Sequence, residues 1–134
     1  MRFSLAINLE RMDPTDDMRA VAAHVLEMVQ LADSAGFDTA WAAEHHAIEM
    51  TIAPAPFQLL AWWAAHTSQI RLGTALAVAA HRNPLRLAGE AALRDRLTGG
   101  GPQLRLARCA YSGTFAQTTP GLSQPQPRAA ARQR

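Results

Sequence analysis

Four short apolar runs, each followed by a longer stretch with helical spacing, organise the first three quarters of the chain. Phe3 to Ile7 alternates and stops at Asn8, which predicts a first strand. Asp13 as N-cap, Pro14 in the first turn and Asp16 and Asp17 near the positive end of the dipole predict a helix start. Met18, Val21, Ala22, Val25, Val29 and Ala32 then recur on one face, and Gly36 supplies the left-handed stop. Thr39 to Ala43 predicts strand two, and Pro56 opens a second helix running through Ala65. Ile70 to Val78 predicts strand three. Asn83 as N-cap and Pro84 at the first helical position open a third helix that continues to Leu97, supported by a Glu90 to Arg94 pair one turn apart. Gly99 to Gly101 end it, and Leu104 to Ala107 predicts a short fourth strand.

Strand starts at Phe3, Thr39, Ile70 and Leu104 recur at the interval of repeated βα units, because hairpins need no helix between their strands. The fold class is therefore α/β with a parallel sheet. From Ser112 onward Gly, Thr, Pro, Gln and Arg replace the periodic apolar residues, which divides the chain into a domain at residues 1–111 and a low-complexity, disordered tail at 112–134.

The second strand is too short for a helix and runs straight into Glu44, His45 and His46. In a parallel α/β sheet ligands gather outside the carboxyl ends of the strands, so chemistry is expected there. Three uses remain open for the triplet: metal ligation, general acid and base chemistry, and a structural role. Neighbouring residues on a strand point to opposite faces, so His45 and His46 do not readily share one metal, and no metal site is expected. An imidazole can donate, accept or carry a proton near neutrality. His81 and Arg82 after strand three, and Arg108 after strand four, fall on the same rim, where an Arg suits a phosphate.

Composition changes the picture in one respect. All 13 basic residues of the 134 are Arg, and all 11 acidic residues precede Gly101, so the net charge of +2 comes from the tail. Its Arg residues lack interleaved aromatics, and neither nucleic acid nor a membrane is an expected partner. Cys109 is the lone cysteine, which excludes an internal disulfide and suits a reducing compartment. With no apolar stretch long enough for a leader or a span, a cytoplasmic protein is the expectation.

Three segments carry a resemblance: Ser34 to Trp41 continuing into Glu44-His45-His46, Ile70 to Ala75, and Asn83 to Ala88, with a weaker fourth at Leu106 to Tyr111. In this order and spacing the chain resembles the N-terminal part of the luciferase-like flavin-dependent monooxygenases. The resemblance implies a TIM barrel that binds reduced flavin mononucleotide (FMN), supplied by a reductase, at its carboxyl face and oxygenates a small organic substrate. It implies His45 as the catalytic histidine with Glu44 supporting it. Ala75 and Leu76 then match a non-proline cis bond against the flavin ring, and Arg108 an arginine on the phosphate side. Gly89, Gly101-Pro102, Arg105 and Cys109 depart from the family pattern. A closed (β/α)₈ barrel needs roughly 250 residues, so the expected fold is a partial, truncated barrel of about four βα units. Two alternatives stand beside oxygenation by this chain. One is a non-catalytic barrel fragment acting through dimerisation or pairing with a relative. The other is an oxidoreductase that uses deazaflavin.

Overall fold

The computed structural model describes residues 1–46, 51, 53–98 and 104–107. Strands β1 (Ser4–Ile7), β2 (Thr39–Ala42) and β3 (Arg71–Thr74) form a parallel sheet in that order, and β4 (Ala77–Val78) pairs in parallel with β5 (Leu106–Ala107). Helix α1 (Met18–Ser34) connects β1 to β2, α2 (Pro56–Ala64) connects β2 to β3, and α3 (Pro84–Leu97) lies between β4 and β5. The α/β class and the parallel pairing follow from the alternation of strand and helix patterns.

One face of β2 carries Ala40 and Ala42, both fully buried, which lets the helices approach the sheet closely. Val25, Val29 and Ala32 of α1 and Leu60 and Trp63 of α2 pack with them, together with Ile7, Ile70 and Leu72. Trp41 alternates onto the other face, where the Arg105 guanidinium lies 4.0 Å from its ring centre. Arg105 is one of the departures from the family pattern. Its backbone also exchanges hydrogen bonds of 2.9 and 3.0 Å with the Thr74 hydroxyl.

Helix ends show where local chemistry decides. Asp17, rather than Asp13, caps α1, accepting from the Arg19 N–H at 3.1 Å. The Asp13 carboxylate instead accepts from the Thr15 N–H, closing a separate turn that includes Pro14. At the other end Gly36 adopts φ 75°, while the N–H groups of Gly36 and Phe37 return to the carbonyls of Asp33 and Ala32. These paired bonds close the helix as Gly36 predicts. Asn83 caps α3 as expected, accepting from Leu85 and Arg86.

The predicted third strand is not continuous. It ends at Thr74, the Ala75–Leu76 peptide is cis, and the chain resumes as β4. The break moves the strand away from β2 and onto β5, since the Ala75 N–H bonds to Ala42 at 2.7 Å and the Ala77 N–H bonds to Arg105 at 2.8 Å. The fourth predicted strand is correspondingly shorter, Leu106–Ala107 instead of Leu104 to Ala107. Glu90 does not pair with Arg94. Its carboxylate accepts from Arg82 at 2.9 Å.

Asp33, in the last turn of α1, fixes the entry to β3. Its two oxygens accept from the N–H groups of Ser68, Gln69 and Ile70 at 2.8, 2.9 and 2.6 Å. Burial raises its carboxyl pKa, but the three backbone donors outweigh that effect and hold it below the usual value of 3.8. Replacing Asp33 by Ala is expected to cost about 2 kcal/mol at neutral pH, the scale of bonds to a charged acceptor at a half-exposed site. The contribution is fully present above the unfolded carboxyl pKa and is lost as pH falls through the lower folded one. Urea denaturation of both proteins from pH 7 to pH 2 should show the two curves converge on acidification.

Candidate active site

The carboxyl end of β2 delivers a buried carboxylate. Glu44 follows a strand whose four residues are all buried, so its side chain, 1% exposed, has to find its partners inside the protein. Oε2 accepts from the Val78 backbone N–H at 3.0 Å and from Arg82 Nη2 at 3.1 Å. Oε1 lies 2.7 Å from His46 Nε2, and a carboxylate there requires the imidazole nitrogen to donate. One residue thus ties the ends of β2 and β4 together across the break at Ala75–Leu76.

His46 and His81 meet edge to face, with ring centres 5.1 Å apart. Burial lowers the His81 pKa below 6.5, and His46 and Arg82 push it the same way against a raising effect of Glu44. His81 therefore stays neutral at neutral pH. Arg82 spans two carboxylates, Nη2 to Glu44 and Nη1 to Glu90, and its guanidinium lies 5.0 Å from the centre of the Phe57 ring.

Alternation from β2 continues far enough to put Glu44 and His46 on one side. His45 is not part of that cluster. Its backbone N–H bonds to the Ala53 carbonyl at 3.0 Å, an antiparallel bridge that anchors the loop after β2. The ligand atoms of Glu44, His46 and His81 lie within 4.8 Å of one another and could hold a divalent cation. A cation there would displace the Glu44–His46 hydrogen bond and sit against Arg82. The hydrogen-bonded network satisfies Glu44 without one, through a proton on His46 Nε2 that a metal-bound nitrogen would not carry.

Ala75 and Leu76 form the cis peptide, and the Leu76 side chain is partly exposed. Arg108 and Cys109 lie outside the described residues, as does the tail from 112. Arg82 takes carboxylate partners in place of the phosphate its rim position suggests. Glu90 and Phe57 are site neighbours that spacing does not mark, because each reaches Arg82 from a different helix.

The family description "luciferase-like monooxygenase" matches residues 1–132. The chain belongs to the luciferase-like monooxygenase family. The oxygenase component of the flavin-dependent trigonelline monooxygenase of Acinetobacter baylyi is 39% identical over 91% of this chain and 34% of its own length. The alkanal monooxygenase alpha chain of the Kryptophanaron alfredi symbiont is 29% identical, over 76% of this chain and 29% of its own. Among solved structures, the monooxygenase RslO1 from Streptomyces bottropensis superposes with a TM-score of 0.79 at 26% identity, covering 88% of this chain and 36% of that one. The oxygenating constituent of 3,6-diketocamphane monooxygenase from Pseudomonas putida, solved with FMN, superposes at 0.76 and 24% identity over 83% of this chain and 30% of its own, a likeness of fold. The chain spans about a third of the length of these relatives. Among the described residues no helix is long and apolar enough to cross a membrane.

Replacing Glu44 by Ala is expected to cost about 3 to 5 kcal/mol, because it leaves Arg82 and the Val78 N–H without their buried acceptor. Chemical denaturation measures this. In the wild type the His81 ring should titrate below 6.5 by NMR. Since the unfolded chain then binds the proton first, stability should fall as pH drops from 6.5 through the folded His81 pKa.

Proposed function

We propose that this chain carries the strand-two and strand-three side of a flavin-dependent oxygenase site, with the reduced FMN ring resting against Ala75 and Leu76 and His45 acting at the reacting centre. The observation that carries this reading is the buried Glu44 carboxylate, which locks the end of β2, where His45 follows it, to β4 across Ala75–Leu76. The fold is then the first part of a (β/α)₈ barrel, about four βα units long.

The described residues fit the ring end of FMN. Leu76 offers a partly exposed apolar side chain, which suits an aromatic ring. Arg108, on the phosphate side, would hold the other end as a fork of permanently charged donors. FMN, once reduced by a separate reductase, supplies the oxygen-activating chemistry. The protein's part is to orient the ring, exclude water and manage one proton. His45 is the group for the proton, because its imidazole can hold or release one near neutrality and is not committed to Glu44. Glu44 and His46 are positioning residues in this reading. Deazaflavin use is the alternative for the cofactor, supported by a putative coenzyme F420-dependent oxidoreductase of Mycobacterium tuberculosis that is 36% identical over 55% of this chain and 20% of its own length.

A second reading has its own observation. Leu85, Leu93 and Leu97 of α3 are 82%, 61% and 60% exposed, an apolar surface that suits pairing with another copy or with a longer relative. In that case the chain acts as a non-catalytic fragment through dimerisation.

Fluorescence titration with oxidised and reduced FMN and with a deazaflavin tests the cofactor, and trigonelline is the first substrate to try. His45→Ala should lower oxygenation by about 10² while leaving FMN affinity within a few-fold. His46→Ala should have the smaller effect on turnover. The reverse ranking would place the working imidazole one residue later. A wild type that binds no flavin but sediments as a dimer would favour the second reading.

A further inference from the structure

We propose that the cleft between α2 and α3 is a binding site for a small organic carboxylate with an apolar body, held by Arg94. The cleft holds about 250 Å³ and is lined by Phe57 and Ala61 of α2 and by Leu93 and Leu97 of α3, together with Arg82, Glu90 and Arg94. Arg94 is only 3% exposed, and its Nε and Nη1 have no hydrogen-bond partner among the described residues. Buried guanidinium groups are normally paired, because desolvating the charge without an acceptor is costly.

The partner that helical spacing offers, Glu90 one turn earlier, is engaged by Arg82 instead. The Phe57 ring, 5.9 Å from the Arg94 guanidinium, supplies an attractive face but no acceptor. Burial lowers the Arg94 pKa and the charge of Asp95 works against that, yet an arginine stays protonated under any ordinary condition. The cation therefore calls for an anion from outside its own helix.

Charge and lining narrow the class. Both Nη groups of Arg82 are committed, to Glu44 and Glu90, so the two carboxylates balance the two arginines in charge while Arg94, which also lines the cleft, is left with open donors. A carboxylate matches the guanidinium fork, and its single negative charge meets less repulsion from Glu44 and Glu90 than the two charges of a phosphate would. The apolar walls suit a hydrocarbon or aromatic body. After Asp95 the chain contains no Asp or Glu, and Glu49 is the one acidic residue outside the described set. The cleft shares Arg82 with the Glu44 cluster, but its test does not depend on oxygenation.

Calorimetric titration of the full chain with benzoate and hexanoate, against benzamide as the neutral isostere, tests the proposal. The acids should bind with one-to-one saturation, at least tenfold tighter than the amide, and should raise the Tm. Arg94→Met should lose acid binding by tenfold or more without lowering the Tm, because it removes an unpaired buried charge. Glu49→Gln should leave benzoate affinity unchanged. Equal binding of acid and amide, or none of either, overturns the proposal, as does a lower Tm for Arg94→Met or tighter benzoate binding in Glu49→Gln. Sedimentation showing a dimer that benzoate or Arg94→Met dissociates would also overturn it, assigning the cleft to a carboxylate of a second copy. If Arg94→Met does not fold, the comparison of acid with amide on the wild type decides alone.

Discussion

The Glu44 carboxylate is the constraint on which the carboxyl end of this structure depends. A carboxylate with a 1% exposed side chain has given up its hydration, and that cost is tolerable only because three donors converge on it. Those donors come from the loop after β2, from β4 and from the residue that follows the short 3₁₀ turn at Ala79–His81. Ala77 and Val78 sit where they do through two contacts, the pairing with β5 and the bond from the Val78 N–H to Glu44. The same arrangement brings the His46 and His81 rings together and gives Arg82 a buried anchor.

Small residues make this possible further back. Ala40 and Ala42 on the helix side of β2 let Trp63 and Leu60 reach the sheet, and both of those side chains are fully buried. Bulkier residues at 40 and 42 would push α1 and α2 outward. The strand end would shift with them, since Ala42 also accepts the hydrogen bond that fixes Ala75. The packing core and the site are thus coupled through one short strand.

Much of this was legible in the chain. Strand and helix order, the Asn83 and Gly36 boundaries and the parallel pairing follow from periodicity and from the backbone preferences of single residues. That Glu44 and His46 share a side follows from alternation. What periodicity could not show is tertiary. Asp13 and Asp17 are equivalent as caps by type, and Pro14 favours the first, yet the Asp13 carboxylate closes a turn of its own with Thr15. Ile70 to Val78 reads as one strand because apolar residues run through it with only Arg71 and Thr74 polar, and its periodicity does not mark the change of pairing partner at Ala75. Glu90 has an arginine at the helical interval in Arg94, and a better-placed one in Arg82 from outside the helix. A local rule finds only the first.

The exclusive use of Arg has a consequence at that last position. Arg82 contacts Glu44 with one Nη group and Glu90 with the other, while its guanidinium carbon lies over the Phe57 ring. A lysine could supply the charge but not two divergent donors and a stacking plane together, because its ammonium is a point at the end of a flexible stem. The fork therefore links the strand-end carboxylate to the helix α3 carboxylate through one rigid group. Once Glu90 is held in that way it is not available to Arg94 on its own helix, and the second guanidinium is buried with its charge facing the cleft. The site at the end of β2 and the cleft between the helices are in this sense one electrostatic problem: satisfying Glu44 through Arg82 and Glu90 is what leaves Arg94 in need of an anion.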